Sequence, residues 1–121
     1  DMELARLMVD AAKNSGADCV KFQSFIADRY ISEYAEKAGY QEKYETVANK
    51  SQRETIKACE LNTEQAIALK EPAGSKSVDF VSTPFEVWSL RELVKIGVPA
   101  IKISSCNLMN YPFFEEAAEL S

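Results

Sequence analysis

The sequence predicts an α/β fold with parallel strands and, within that class, part of an eight-stranded (β/α)8 TIM barrel. Strand patterns alternate with helix patterns along the 121 residues, which requires parallel strands joined by right-handed crossovers. No glycine-rich turn follows a predicted strand, so the dinucleotide fingerprint of an open doubly wound sheet is absent. All three predicted strands instead end in polar residues, at the edge where barrels assemble their chemistry. We favour the barrel over the open sheet, and three strands are then a piece of a domain of about 250 residues.

Composition and charge exclude several classes of protein. The chain is 46% hydrophobic and 27% charged, which is typical of a globular protein. Its net charge of −5 argues against a nucleic-acid partner, which binds a basic face. No apolar run approaches the roughly 20 residues that span a membrane, so we expect no membrane partner. Because the chain has no histidine, these residues form neither a His-based triad nor a histidine metal site.

The cysteines and the chain ends give two further expectations. Cys19, Cys59 and Cys106 are widely spaced and form no CxxC pair, which favours a reducing, cytoplasmic location over a disulfide framework. Asp1 leads directly into a helical pattern, and Ser121 follows another helix without a stop signal. We therefore expect residues 1–121 to be one partial domain of a longer protein.

The first helix is predicted from Met2 to Ser15, and Gly16 supplies its left-handed stop. Apolar residues at helical spacing predict one buried stripe. This stripe comprises Leu4, Leu7, Met8, Ala11 and Ala12.

The first strand is predicted from Cys19 to Phe25. Alternation places Val20 and Phe22 on one face, with Lys21 and Gln23 on the other. An unpaired ammonium is costly to bury, so Lys21 is either paired with a carboxylate or an anion ligand. We favour the anion ligand.

The segment from Ile26 to Lys50 has no clean period and is predicted to be a long excursion with short helical pieces. We interpret its tyrosines as loop packing. A helix follows near Ser51–Cys59, with Ser51 and Glu54 as a capping box.

The next helix is expected to begin at a Thr63 cap and to contain Gln65 to Lys70. Pro72 and Gly74 are expected to break it.

The remaining chain repeats the strand–helix order twice. Trp88, Phe113 and Phe114 are expected in the core between helices and sheet. The predicted elements are a strand at Val78–Ser82, a turn at Thr83–Pro84, a helix at Phe85–Ile96, a strand at Ala100–Ser104 and a helix from Tyr111 that Asn110 caps.

Polar side chains cluster at the carboxyl ends of the three predicted strands. Lys21 and Lys102, together with serine and threonine hydroxyls, form a plausible cradle for phosphate or carboxylate. A barrel lysine also forms Schiff bases where an apolar pocket depresses its pKa, so a Schiff-base aldolase is the rival enzyme. Cys106 is not interpreted as a nucleophile, because no histidine is present to activate it.

Three stretches are recognisable as a family pattern. They are DMELARLMVDAAKNSGADCVKFQSF, VDFVSTPFEVWSLRELVKIGVPAIKISS and NLMNYPFFEEAAE. In this order they resemble the sialic acid (N-acetylneuraminate) synthase family over nearly the whole chain, apart from Glu71 to Ser77. The most specific segment is Gly-Ala-Asp-x-Val-Lys-Phe-Gln at Gly16 to Gln23.

The resemblance implies an N-terminal TIM barrel to which this chain contributes about strands 2–4 with helices 1–4. It implies condensation of phosphoenolpyruvate with an N-acetylated amino sugar to a sialic-acid-type nonulosonic acid, with release of phosphate. It further implies a cytoplasmic homodimer when full length and a divalent metal, Mn²⁺ or Mg²⁺, whose ligands lie outside this chain.

The resemblance also assigns roles to five residues of this sequence. Lys21 matches the lysine that meets the carboxylate end of phosphoenolpyruvate and, with Gln23, is expected to be catalytic. Thr83, Lys102 and Ser105 match phosphate ligands.

One departure from the family concerns Cys106 and Asn107, where the family usually has Gly-Glu or Gly-Asp. We expect Asn107 on the sugar or metal side of the site, where an amide cannot act as a base. A catalytically degenerate, synthase-like domain is therefore a further alternative.

Overall fold

The computed structural model describes residues 1–37, 39 and 50–120, which form a parallel two-stranded sheet with helices around it. The strands are β1 (Cys19–Ser24) and β2 (Asp79–Pro84), and a short 3₁₀ turn spans Ser105–Asn107. The helices are α1 (Met2–Asn14), α2 (Ala27–Tyr30), α3 (Gln52–Lys57), α4 (Thr63–Ser75), α5 (Val87–Lys95) and α6 (Tyr111–Glu119).

The two strands pair in parallel, as predicted. Val20 lies opposite Phe80, and Gln23 lies opposite Thr83. Val20 and Phe80 are buried against the helices, whereas Lys21 and Gln23 are exposed on the other face. The predicted alternation of β1 is therefore confirmed, and it separates an apolar, helix-covered face from a polar one.

The core lies between the helix-covered face and helices α1 and α4. The rings of Phe22 and Phe80 stack there with their centroids 5.4 Å apart. The buried core residues are Val9, Val20, Ala66, Leu69, Ala73, Val78 and Phe80.

The third predicted strand, Ala100–Ser104, is wrong as a regular strand. In the described part of the chain it makes one parallel bridge, between Ile101 and Ser82. The Lys102 N–H donates to the Ser82 carbonyl at 3.2 Å. Among the described residues, this segment has β2 on one side and no strand on the other. No second bridge to β2 follows the first, so the segment does not form a ladder.

The predicted buried stripe of α1 is also largely wrong. Leu4, Leu7 and Met8 are 56%, 58% and 59% exposed, and Ala11 is exposed as well. Only Ala12 of the predicted set packs against the core. The residues that α1 turns toward α4 and the sheet are Met2, Ala5, Val9 and Ala12. The helix thus has apolar residues on two faces. The face with Leu4, Leu7 and Met8 is exposed, whereas the face with Val9 packs against the core.

The N-cap of α4 is Asn62 and not Thr63. The Asn62 side chain accepts from the Gln65 N–H at 2.8 Å, and the Gln65 side chain accepts from the Asn62 N–H at 3.0 Å. This is a complete capping box. The Thr63 hydroxyl instead donates to the Glu92 carboxylate at 2.9 Å, which ties α4 to α5.

The predicted break at Pro72 and Gly74 is wrong, because α4 continues to Ser75. Ala66, Leu69 and Ala73 are buried on one side of this helix. Their packing against α1 and β2 offsets the backbone cost of a proline and a glycine in the helix.

Local signals at the other helix ends are confirmed. Ser51 and Glu54 form the predicted capping box of α3, and the Asn110 side chain caps α6. Gly16 ends α1 with a φ of +85°. The predicted turn at Thr83–Pro84 is wrong, because both residues lie within β2, and the helix predicted from Phe85 begins at Val87, behind a Glu86 cap.

The predicted aromatic core is confirmed in part. Phe113 is 1% exposed, but Trp88 is 46% exposed. The Arg29 guanidinium lies 4.9 Å from the Trp88 ring centroid and the Lys95 ammonium lies 5.7 Å from it. Trp88 therefore gains cation–π contacts at the surface instead of core packing.

The start of the predicted excursion is attached to the helix that follows it and to Glu60. Asp28 of α2 accepts from Lys57 Nζ at 2.7 Å and from Arg53 Nε at 2.9 Å, both on α3. The hydrogen bond from Lys57 lowers the pKa of Asp28. Glu60 also accepts a hydrogen bond from the Ala27 N–H. Residues 38 and 40–49 lie outside the described residues. They include Tyr40 and Tyr44, so the predicted loop packing of these two tyrosines lies outside them as well.

Candidate active site

The register of the sheet places Lys21, Gln23 and Thr83 on its polar face. Gln23 and Thr83 are direct partners in the β1–β2 pair and form a row of polar side chains across the two strands. Lys21 shares their face two residues before Gln23. Ile101 bridges Ser82, and the next residue, Lys102, donates its backbone N–H to the Ser82 carbonyl, so the backbone of Lys102 lies next to β2.

Thr83 is the buried member of this row. It is 2% exposed, and its Oγ1 has no hydrogen-bond partner among the described residues. Its neighbour Ser82 faces the other way, and the Ser82 hydroxyl lies 2.8 Å from the Ser24 hydroxyl. Leaving a buried hydroxyl unpaired costs about 1–3 kcal/mol, so we expect a water molecule or a ligand to supply the partner of Thr83.

The two lysines of the site are exposed and free of carboxylates. Within residues 1–37, 39 and 50–120, the Lys21 ammonium makes no hydrogen bond or ion pair. The Lys102 ammonium reaches only the Ile103 carbonyl, at 3.5 Å. Both ammonium groups are therefore available to an anion. Because neither is enclosed by apolar side chains, nothing here favours a Schiff-base lysine.

Ser105 and Asn107 share the 3₁₀ turn that follows Lys102, but their environments differ. Ser105 is exposed at the start of the turn, whereas Asn107 is 6% exposed. Asn107 Nδ2 donates to the Phe85 carbonyl at 3.3 Å, and its Oδ1 accepts from Asn110 Nδ2 at 3.2 Å. The hydrogen bonds of Asn107 are thus made within the chain.

An aromatic cluster near the same turn was not predicted from the sequence. The Tyr30 ring packs 4.8 Å from Phe85 and 6.2 Å from Phe25. The Tyr30 hydroxyl lies 4.0 Å from Cys106 Sγ, which is 2.9 Å from the Ser104 hydroxyl. Burial, followed by the nearby Cys106, raises the pKa of Tyr30. These contacts join residues far apart in the chain, so no local pattern could have found them.

The described ranges contain neither a metal-binding cluster nor a helix that could span a membrane. Among those residues, no group of three or more Cys, Asp or Glu side chains could hold a metal ion. No helix there is long and apolar enough to cross a bilayer.

The NeuB family model matches residues 8–121, which is nearly the whole chain. This chain belongs to the NeuB family. The finding confirms the resemblance to sialic acid synthases, since a crystal structure of an N-acetylneuraminic acid (sialic acid) synthetase from Leptospira borgpetersenii in complex with citrate superposes with a TM-score of 0.82 at 31% identity. The superposition covers 99% of this chain and 37% of that one. It also confirms the predicted fold, a part of a TIM barrel.

Two relatives of this NeuB chain have the same name. The N,N'-diacetyllegionaminic acid synthase of Legionella pneumophila is 42% identical over 118 residues, covering 98% of this chain and 33% of that protein. The protein of that name from Campylobacter jejuni is 38% identical over 122 residues, covering 100% of this chain and 36% of the relative. The chain thus spans about a third of the length of the relatives it matches.

Proposed function

We propose that the protein containing this NeuB segment condenses phosphoenolpyruvate with an N-acetylated amino sugar. The product is a sialic-acid-type nonulosonic acid, and inorganic phosphate is released. Membership of the family and the synthase names of the relatives support the reaction class. The observation that carries the proposal is the buried Thr83 hydroxyl, which has no partner among the described residues, next to the Ser82 carbonyl to which the Lys102 N–H donates.

The polar face fits the charges of phosphoenolpyruvate. Its phosphate would accept a hydrogen bond from Thr83 Oγ1 and meet the positive charge of Lys102, with Ser105 as a further donor. Its carboxylate would meet Lys21, with Gln23 as the polar neighbour. These groups act by fixing the substrate's position and by neutralising its charge.

In the proposed reaction, C3 of phosphoenolpyruvate attacks the aldehyde carbon of the open-chain sugar, and the new C–C bond leaves a cation at C2. Water adds to C2, and phosphate then leaves with cleavage of its bond to C2. A divalent metal, which the family resemblance implies and which residues outside the described ranges would hold, would supply polarisation of the sugar aldehyde. No step is assigned to it here, because the described residues contain no metal-binding cluster. Manganese or magnesium dependence, a homodimer and a cytoplasmic location stay predictions.

The test of the site is the variant Lys102→Ala in the full-length protein. We expect its affinity for phosphoenolpyruvate, measured by calorimetry, to fall at least about tenfold, because a fixed positive charge next to the phosphate is lost. Lys13→Ala, at the exposed end of α1, removes the same charge away from the polar face and is the control. Equal affinities in Lys102→Ala and the wild type would contradict the assignment.

The test of the reaction is phosphate release with phosphoenolpyruvate, manganese and a panel of N-acetylated sugars that includes N-acetylmannosamine. We expect release with one sugar, which then names the substrate. A catalytically degenerate domain instead predicts that the protein binds phosphoenolpyruvate but releases no phosphate with any sugar. A Schiff-base aldolase instead predicts that borohydride traps a pyruvate adduct on Lys21 or Lys102, and we expect no adduct.

A further inference from the structure

Asn107 belongs to a chain of hydrogen bonds that joins the end of β1, the turn after β2 and the 3₁₀ turn at Ser105–Asn107. The Phe85 N–H donates to the Ser24 carbonyl at 3.1 Å, which connects the end of β1 to the turn after β2. The Phe85 carbonyl accepts from Asn107 Nδ2, and Asn107 Oδ1 accepts from Asn110 Nδ2. Asn110 Oδ1 in turn accepts from the Phe113 N–H at 3.4 Å.

The polarity of this chain requires an amide at position 107. The Phe85 carbonyl can only accept, and the Phe113 N–H can only donate, so both ends of the Asn107–Asn110 pair are fixed by backbone groups. Asn107 must therefore donate at one atom and accept at the other. An ionised carboxylate there would place a negative charge against the Phe85 carbonyl oxygen and could not donate.

Two residues of this hydrogen-bond chain are close in sequence to predicted phosphate ligands. Phe85 follows Thr83 by two residues, and Asn107 follows Ser105 by two residues in the same 3₁₀ turn. Asn107 is buried, so its hydrogen bonds are shielded from water. Its amide thus fixes the distance between the turn that follows Thr83 and the turn that carries Ser105.

We infer that Asn107 is a positioning residue, whose amide holds the two predicted phosphate ligands Thr83 and Ser105 in register. This inference rests on the proposed function, and it replaces the expectation that Asn107 contacts the sugar or the metal. It explains why an amide stands where the family usually has a carboxylate: in this chain the position donates to a backbone carbonyl.

The test compares Asn107→Asp and Asn107→Ala with the wild-type full-length protein, with phosphoenolpyruvate as the probe in calorimetry. At neutral pH we expect both variants to bind about tenfold more weakly, as the loss of one buried hydrogen bond implies. As the pH falls below the pKa of the introduced carboxyl group, its O–H can donate to the Phe85 carbonyl. The affinity of Asn107→Asp relative to Asn107→Ala should then rise.

Two controls separate positioning from general damage. Asn107→Ala keeps the neighbouring ionisable side chains of Tyr30, Glu86 and Cys106. Any pH dependence of binding that these groups cause therefore appears in both variants. Met109→Ala changes an exposed side chain in the next turn and should bind like the wild type. If Asn107→Asp does not fold, Asn110→Asp keeps the α6 cap, replaces the donor to Asn107 with a carboxylate oxygen, and should weaken binding likewise.

The outcomes distinguish the inference from the function on which it rests. A wild-type protein that binds no phosphoenolpyruvate overturns the proposed function and, with it, the inference. A wild type that binds while Asn107→Asp binds equally well at neutral pH, or shows the same pH profile as Asn107→Ala, overturns the positioning role alone.

Discussion

At the scale of single residues, Ser82 and Thr83 have opposite hydrogen-bonding states although they are neighbours in β2. Both are buried, at 0% and 2% exposure. The Ser82 hydroxyl is paired with Ser24, whereas Thr83 Oγ1 has no partner in the described part of the chain. Alternation along the strand explains the difference, since the two side chains face opposite sides of the sheet. The sequence predicts that Thr83 is a polar residue at a strand end, but only the structure shows that its hydroxyl is unpaired.

We expect Thr83→Val to separate binding from stability. Affinity for phosphoenolpyruvate should fall about tenfold or more, because a donor to the phosphate is lost. The free energy of unfolding should stay constant or rise by about 1 kcal/mol, because no hydrogen bond within the chain is lost. Ser82→Ala is the matched variant and should lower the free energy of unfolding by about 1–2 kcal/mol, since it leaves Ser24 unpaired. Urea unfolding and calorimetry check both variants; a larger loss of stability in Thr83→Val than in Ser82→Ala contradicts the assignment.

The raised pKa of Tyr30 predicts a change of stability at alkaline pH. Its neutral form is favoured in the folded state, so its contribution to stability is full below the unfolded pKa of about 10 and is lost as the pH rises through the folded pKa. Tyr30→Phe should therefore reduce the alkaline loss of unfolding free energy. Tyr34→Phe, at an 85% exposed position, should leave it unchanged. Urea unfolding over the alkaline range measures the difference, and equal slopes in the two variants would refute it.

At the scale of elements, helix ends were easier to predict than helix interiors. A capping box depends on residues three positions apart, so Ser51 with Glu54 could be recognised from the sequence alone. Asn62 was missed because Thr63, another good cap, follows it directly. The continuation of α4 through Pro72 could not be predicted, because it depends on burial of Ala73 against residues distant in the chain.

We expect Asn62→Ala to lower the free energy of unfolding by about 1 kcal/mol, the usual effect of removing an N-cap acceptor. Asn62→Asp keeps an oxygen that can accept from the Gln65 N–H and should leave stability within about 0.5 kcal/mol of the wild type. Urea unfolding of the two variants is the measurement. A neutral Asn62→Ala would mean that the capping box contributes little to α4.

At the scale of the whole molecule, the chain exposes two apolar surfaces, one on α1 and one between α5 and α6. Leu4, Leu7 and Met8 lie three and four positions apart and form one exposed patch on α1. A groove of about 570 Å³ lies between α5 and α6, lined by apolar residues that include Ile101, Ile103 and Phe114. Contiguous exposed apolar surface of this kind is a site of association.

We therefore expect the 121-residue chain by itself to self-associate and to bind an apolar dye. Sedimentation velocity across a range of concentrations measures the association. Replacing Leu7 and Met8 with lysine should reduce both effects without loss of stability, because these side chains are exposed. A chain that is monomeric at every concentration and does not bind the dye would contradict this expectation.

The sequence by itself determined the parallel α/β class, the helix-covered and polar faces of β1 and the helix ends at Gly16, Ser51 and Asn110. Each of these depends on local information, such as period or capping. The tertiary structure decided which face of α1 is buried, that Ala100–Ser104 makes one bridge, that the Thr83 hydroxyl is unpaired and that the Asn107 amide is bonded internally. Each of these depends on partners far away in the chain, whose positions no local pattern records.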